Sequence, residues 1–198
     1  MWNWQSEGMV PAFPAVYGGA VQMFGRAYGG GPSEEQALRT KAGQQLVFGE
    51  QLGWIEPGMV DRPGAAFFRT AVRTRWRLRR YFASGQMARP PRLEGTNPAV
   101  RSDWQWYGEH PVTTEAVLAG AWRLPTARRL ALIFVNVSDR SVDLTYRLRP
   151  ETYGLRAGQV ERTTITNDVA SAEQPLTLPA VERMHFAPRQ VVVWELRW

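Results

Sequence analysis

The sequence predicts two unlike pieces joined end to end, an α/β segment followed by an all-β domain of the antiparallel sandwich type. Three observations lead to this prediction. Strand-like and helical patterns alternate over residues 1–86, whereas short apolar stretches separated by turns fill residues 112–198 without a helical period. A stretch rich in proline and aromatic residues, 87–111, lies between them and is predicted to be an irregular interdomain linker.

The first α/β unit is predicted to contain a short strand at Ala15–Tyr17, a glycine-rich loop and a helix. Ser33 can accept hydrogen bonds from the first free amides of that helix, and the two acids that follow it favour the positive end of the helix dipole. We expect this helix to begin near Pro32 and to end near Ala42.

The second unit is predicted to contain a buried strand at Gln45–Gly49, a loop, and a long helix from Pro63 to Ser84. One face of this helix carries an apolar stripe, composed of Phe67, Phe68, Ala71, Val72, Trp76, Leu78 and Phe82. Arginines line the opposite face, as is typical of a solvated surface. Two β/α units cannot bury both faces of a parallel sheet, so we expect the rest of that sheet to lie upstream or on a second copy of the chain.

The all-β piece is predicted from an apolar strand at Leu130–Val137, a polar turn, and an alternating strand at Val142–Leu148. Because the two stretches are neighbours in sequence, we expect them to form a β-hairpin. Further strands are predicted at Gln159–Thr166, Gln174–Leu178 and Arg189–Trp198. Short strands with frequent turns are typical of an antiparallel β-sandwich.

Composition narrows the classes of function. The 198 residues carry a net charge of +6, with Lys41 the only lysine, no cysteine, and two histidines, His110 and His185, without metal-ligand spacing. We therefore expect no metal and no cofactor, with a hard cation held by carboxylates alone as the open alternative. The arginines are spread over both pieces and no apolar run reaches the ~18 residues of a membrane span, so neither nucleic acid nor membrane is expected as a partner. No signal peptide is visible, and the sequence leaves the localisation open.

Three stretches carry a resemblance to a known family. They are Pro14–Gly19 (PAVYGG), Leu46–Trp54 (LVFGEQLGW), and Ala121-Trp122 followed by Leu132–Ser138 (LIFVNVS). Their order resembles the C-terminal end of a glycoside hydrolase with a (β/α)₈ barrel and an appended β-sandwich. More narrowly, they resemble an uncharacterised glycoside-hydrolase-like family known as a domain of unknown function. The resemblance spans nearly the whole chain.

The resemblance implies that Ala15–Tyr17 and Gln45–Gly49 are the last two strands of a TIM-type barrel whose other strands lie upstream. The chain would then be the C-terminal fragment of a carbohydrate-active protein, incomplete as a catalyst on its own. The alternative function is that of a non-enzyme: a non-catalytic carbohydrate-binding or structural β-sandwich module. Both imply a carbohydrate or glycan partner.

Barrel enzymes place their sites at the carboxyl ends of the strands, and glycosidases use a pair of carboxylates there. The resemblance therefore implies Glu50 as a catalytic carboxylate, because it directly follows a predicted strand. Tyr17, Gln51, Trp54 and Arg26 are the predicted substrate-binding side chains. A structural role for Glu50 and core packing for Trp54 stay open as alternatives.

No second carboxylate can be paired with Glu50 from its spacing. Glu7 precedes the region of the first predicted strand, and Glu56 is followed by a proline, which is typical of a turn. The aromatic group Trp104, Trp106 and Tyr107 is predicted to pack between the two pieces, with a sugar-stacking platform as the alternative.

Overall fold

The computed structural model of the protein describes residues 11–18, 20, 21, 23, 24, 34–53, 58, 61, 65–104 and 111–198. Over these residues the chain is mostly antiparallel β-sheet with few helices. The helices are α1 (Ala12–Tyr17), α2 (Glu34–Val47), α3 (Ala65–Arg77) and α4 (Arg79–Ser84). The strands are β1 (Gln86–Ala88), β2 (Leu93–Glu94), β3 (Ala99–Asp103), β4 (Pro111–Glu115), β5 (Val117–Leu124), β6 (Arg129–Asn136), β7 (Val142–Leu148), β8 (Gly158–Thr166), β9 (Val169–Ala170), β10 (Gln174–Leu178), β11 (Ala180–Phe186) and β12 (Val191–Arg197).

The strands form one large sheet, one small sheet and a separate pair. The large sheet has seven strands in the order β1-β5-β6-β12-β8-β10, with β9 also paired to β8. The small sheet has the order β11-β7-β2, and β3 pairs with β4. All of these strand pairs are antiparallel.

The centre of the large sheet is buried on both faces, as strand β6 shows. Successive side chains of a strand point to opposite faces, so β6 contributes to two different apolar clusters. Leu130, Leu132 and Phe134 pack with residues of the small sheet. Ala131, Ile133 and Val135 pack with helices α2, α3 and α4. The large sheet is therefore a middle layer between the helices and the small sheet, which explains why β6 is apolar at nearly every position.

The predicted hairpin at Leu130–Leu148 is wrong. β6 pairs with β5 and β12, whereas β7 pairs with β11 and β2, so the two strands belong to different sheets. The connection between them is an arch that crosses from one sheet to the other. Each strand was recognisable from its own apolar pattern, but that pattern does not specify its hydrogen-bonding partner.

Asn136 holds this arch in place from a fully buried position. Its side-chain amide Nδ2 donates to the backbone oxygens of Arg140 (2.8 Å), Phe186 (3.2 Å) and Ala187 (2.9 Å). Its Oδ1 accepts from the amide and the hydroxyl of Ser138 at 3.0 and 2.8 Å. One side chain thus ties the end of β6 to the arch and to the segment after β11.

Asp139, on the same arch, connects it to α2. Its carboxylate accepts from Arg39 Nη2 of α2 at 2.8 Å and from Arg189 Nε at 2.6 Å. Burial raises the pKa of this carboxyl, but the hydrogen bonds and charges of Arg189 and Arg39 outweigh burial and leave its pKa below the ordinary value.

The lowered pKa predicts a pH dependence of stability. A carboxyl with a depressed pKa in the folded state stabilises the fold above its unfolded pKa, about 3.9, and loses that contribution as the pH falls through the folded value. We expect Asp139→Asn to lower the urea midpoint at pH 7, and the difference from wild type to shrink as the pH is lowered from about 5 towards 2. A difference that stays constant across that range would contradict the assignment.

Both strands predicted in the N-terminal piece are wrong. Ala15–Tyr17 lies within helix α1, and Gln45–Gly49 forms the end of α2 and its cap. The predicted helix ending at Ala42 instead continues to Val47. Residues 37–47 are all buried, so α2 has no exposed face and shows no helical periodicity in its sequence. Its apolar end therefore has the pattern of a buried strand.

The long helix predicted from Pro63 to Ser84 is present as two helices, α3 and α4, separated at Leu78. The apolar stripe is confirmed for Phe67, Phe68, Ala71, Leu78 and Phe82, which are buried. It is wrong for Val72 and Trp76, which are 42% and 68% exposed. The buried face of α3 continues from Ala71 through Thr74 to Leu78, and Val72 and Trp76 lie outside it.

The segment predicted to be an irregular linker contains β1, β2 and β3. Strand β1 pairs with β5 at one edge of the large sheet, and β2 pairs with β7 at one edge of the small sheet. Pro90, Pro91 and Pro98 stand between these short strands, and Pro111 is the first residue of β4. A residue without an amide hydrogen is tolerated at such positions.

Candidate functional site

The candidate carboxylate Glu50 follows the end of helix α2. The amide of Glu50 donates to the Gln45 oxygen (2.9 Å) and that of Gly49 to the Leu46 oxygen (3.2 Å), with Gly49 at φ +70°. These two bonds around a left-handed residue are the Schellman cap of a helix. The side chain of Glu50 is attached to a helix terminus and is only 6% exposed.

Arg75 of α3 fixes the same backbone from the other side. Its Nε donates to the Glu50 oxygen at 2.7 Å and its Nη2 to the Gly49 oxygen at 3.4 Å. The guanidinium carbon also lies 5.5 Å from the centre of the Phe82 ring. Burial lowers the pKa of Arg75 below its ordinary value, yet an arginine stays protonated at physiological pH. Sequence reasoning missed this residue, because the arginines that it considered on this helix were Arg69, Arg73, Arg77 and Arg80.

A parallel β-bridge connects the two segments in which barrel strands were predicted. It pairs Phe24 with Gln51, and the amide of Gln51 donates to the Met23 oxygen at 2.8 Å. Helix α2 lies between the two bridged residues in the chain, so the connection is a parallel pair with a helical crossover. The bridge lies after the positions predicted as strands, Ala15–Tyr17 and Gln45–Gly49.

Trp122 of β5 brings the candidate segments together. Its indole nitrogen donates to the Val47 oxygen at 3.0 Å, and its ring stands edge-on to Phe82 with centroids 5.2 Å apart. A Cβ atom added to Gly18 would lie 2.9 Å from this ring, and one added to Gly49 only 2.5 Å from it. The residues next to Tyr17 and Glu50 therefore both pack on the Trp122 ring.

The remaining predicted site residues differ in their placement. Tyr17 is 49% exposed at the end of α1 and packs on Phe13, with ring centroids 4.8 Å apart. Gln51 is exposed at the parallel bridge. Trp54 and Arg26 lie outside the described residues, as do Glu7 and Glu56. The catalytic role of Glu50 stays a prediction, but its premise changes because the residues before it are helical.

Trp104 packs against helix α2 and not on the surface. It is 3% exposed in a cluster with Ala37 and Val112, and its indole nitrogen donates to the hydroxyls of Thr40 (2.9 Å) and Ser102 (3.0 Å). A ring this deeply buried offers no face to a sugar. Trp106 and Tyr107 lie outside the described residues.

The described part of the chain also bears on metal sites and on membrane spans. Within it, no group of three or more histidine, aspartate or glutamate side chains is arranged to hold a metal ion. None of its helices has the length and apolar character of a membrane span.

The sequence is similar to a Bacteroides thetaiotaomicron protein described as "Putative glycoside hydrolase", with 28% identity over 141 residues. The match covers 69% of this chain but only 20% of that protein, so the chain spans about a fifth of its relative's length. No protein-family model matches the chain.

Two solved structures have a partial likeness to this chain. A family GH30 endoxylanase from Clostridium papyrosolvens C71 has 9% identity and a TM-score of 0.48, over 89% of this chain and 41% of the enzyme. A "putative alpha-N-acetylgalactosaminidase" from Bacillus halodurans C-125 has 12% identity and a TM-score of 0.47, over 83% of this chain and 31% of that protein.

Proposed function

We propose that this chain is the C-terminal part of a glycoside-hydrolase-like protein and is incomplete as a catalyst on its own. In this proposal, residues 1–86 provide the last β/α units of a TIM-type barrel, 87–111 connect them, and 112–198 form an appended β-sandwich. The observation that carries the proposal is the parallel bridge between Phe24 and Gln51, with α2 as the crossover helix. Parallel pairs with helical crossovers are the repeating unit of such barrels.

Exposed apolar side chains around the bridge support the same proposal. Five of them lie within a short stretch of chain: Phe13, Val16, Tyr17, Val21 and Phe24, all between 48% and 69% exposed. Exposed apolar side chains that are this numerous in one stretch are typical of a segment that another part of a protein covers. The similarity to a much longer relative described as a glycoside hydrolase agrees with a barrel whose other strands lie upstream.

The direction of the chain decides which residues would face a substrate. Barrel sites lie at the carboxyl ends of the strands, whereas residues at the amino ends serve stability. Glu50 precedes the bridged Gln51, so it belongs to the amino end, where its backbone is held by Arg75. Trp54 and Arg26 follow the bridged residues in the sequence. We therefore assign substrate contact to Trp54 and Arg26, and a supporting role to Glu50.

The proposal is tested by extending the chain upstream with the coding sequence that precedes it in the genome. We expect the extended protein to hydrolyse members of a panel of nitrophenyl glycosides, and the 198-residue chain to be inactive and to bind an apolar dye strongly. A chain that binds little dye and hydrolyses glycosides unaided would overturn the proposal. Glycan binding without hydrolysis by either protein would favour the non-catalytic module.

Two variants of the extended protein separate the roles of Trp54 and Glu50. We expect Trp54→Ala to lower kcat/KM about fivefold through loss of a stacking surface. Glu50→Gln is expected to change kcat/KM by less than about threefold, because it touches no reacting atom. A loss of about 10³-fold in Glu50→Gln, the size expected for a missing general acid or base, would instead make Glu50 catalytic.

A further inference from the structure

A groove lies between helices α3 and α4 and the turn joining β8 to β9, apart from the parallel bridge. Its volume is about 460 Å³, within the range of small-molecule sites. The groove is lined by Val72, Arg73, Trp76, Arg77, Arg79 and Asp168. It therefore combines an apolar wall, an indole ring and three guanidinium groups.

Trp76 offers most of its ring to this groove. Trp76 is 68% exposed. Tryptophan is highly buried on average, so an exposed tryptophan is a candidate for contact with a ligand. The guanidinium carbon of Arg79 lies 4.5 Å from the ring centre, and its Nη1 donates to the Trp76 oxygen at 2.9 Å. The guanidinium is thus held over one face of the ring before any ligand arrives, and a ligand would pack on the other face.

The charge of the groove is positive and only partly compensated. Arg77 is engaged with Asp168, with its Nε 3.7 Å from the carboxylate and its Nη2 3.3 Å from the backbone oxygen. Among the described residues, no carboxylate lies within ion-pair distance of Arg73 or Arg79. Two guanidinium groups next to an open indole ring remain available to an anion.

The wall that carries Asp168 is a tight turn bonded to strand β12. Asn167 and Asp168 both have positive φ, 46° and 74°, as in the tight turns that join antiparallel strands. Asn167 exchanges two hydrogen bonds of 2.9 Å with Val191 of β12, one through its amide and one through its side-chain oxygen. The groove is therefore formed before a ligand binds, which reduces the entropy cost of binding.

We propose that this groove binds an acidic sugar residue, a uronate unit of an oligosaccharide. The apolar face of the pyranose ring packs on Trp76, and the carboxylate pairs with the guanidinium groups of Arg73 and Arg79. The positive charge and the open ring select an anion with an apolar face. The choice of a sugar among such anions rests on the proposed function.

Calorimetric titration of the 198-residue chain with oligogalacturonate tests this inference. We expect binding that weakens with added salt, because the ion pairs are exposed, and at least about tenfold weaker binding of a neutral cello-oligosaccharide of equal length. Trp76→Ala is expected to reduce the affinity about fivefold. Arg73→Gln and Arg79→Gln are each expected to reduce it about threefold.

Two control variants and one control ligand complete the test. Trp76→Phe keeps an aromatic face and should retain most of the affinity, and Arg183→Gln removes an exposed charge from β11 and should change nothing. Equal affinity for the neutral sugar, or an unchanged affinity in Trp76→Ala, overturns the inference. Binding of oligoglutamate as tight as that of oligogalacturonate shows an anion groove that does not select sugars and also overturns it. Because binding is measured without hydrolysis, the result is independent of whether the extended protein is an enzyme.

Discussion

Gly49→Ala should destabilise the protein by about 3 kcal/mol, measured as the loss of free energy of unfolding in urea. Two costs add at this position. Gly49 has φ +70°, a conformation that costs an L-residue about 1 kcal/mol or more. The new Cβ would also lie 2.5 Å from the Trp122 ring and 2.7 Å from the Phe82 ring, and both rings are buried. Neither ring can move without disturbing the cluster between the helices and the large sheet.

Two other glycines separate the two costs. Gly154 also has a positive φ, 69°, but the only atom near its hypothetical Cβ is Arg123 Nη1 at 3.9 Å, so Gly154→Ala should cost about 1 kcal/mol. Gly58 has open space around it, and Gly58→Ala should be close to neutral. If Gly49→Ala costs no more than Gly154→Ala, then the contact between the helix cap and Trp122 is looser than the structure indicates.

Asn136→Ala should cost about 4 kcal/mol, because it removes five hydrogen bonds at a fully buried site. The backbone oxygens of Phe186 and Ala187 and the amide of Ser138 would lose this partner, whereas the Arg140 oxygen keeps a hydrogen bond from the Ser138 hydroxyl. The connection between the two sheets depends on this residue, so we also expect faster amide hydrogen exchange at the ends of β6 and β11.

Asn97 provides the matched control. It makes two hydrogen bonds to the backbone of Val117, from Nδ2 to the oxygen (2.9 Å) and from the amide to Oδ1 (3.0 Å), at a partly buried site. Asn97→Ala should cost about 1 kcal/mol. Equal costs in Asn136→Ala and Asn97→Ala would mean that the arch is held by something other than the Asn136 side chain.

Most strands of the all-β part were predicted, except for β11, but the pairing of the strands was not predictable. The apolar run at β6 identifies a strand that is buried on both faces. The alternation at β7 identifies a strand that is buried on one face. Whether two neighbouring strands form a hairpin or an arch depends on the groups that satisfy the turn, here Asn136 and Ser138. Those contacts reach residues about fifty positions away, such as Phe186.

The N-terminal piece was harder to predict because α2 is buried on all sides. A helix without a solvent face lacks the spacing that identifies helices, and its end at Leu46-Val47-Phe48 was therefore interpreted as a strand. One local signal was available: Gly49 stands where a helix cap requires a left-handed residue. Reading that glycine as a cap moves the next strand position to Gln51 and places Glu50 before it. Glu50 then no longer follows a strand, which was the reason for predicting it as a catalytic carboxylate.

The burial of the centre of the large sheet on both faces limits how the chain can be divided by recombination. An exchange that transferred the strands without helices α2–α4 would uncover Ala131, Ile133 and Val135 on one face of β6. An exchange made at residue 112 would also leave behind β1 and β2, which complete the edges of the two sheets. The all-β part therefore does not form an independent evolutionary module. We expect it to be inherited together with the helices that cover it.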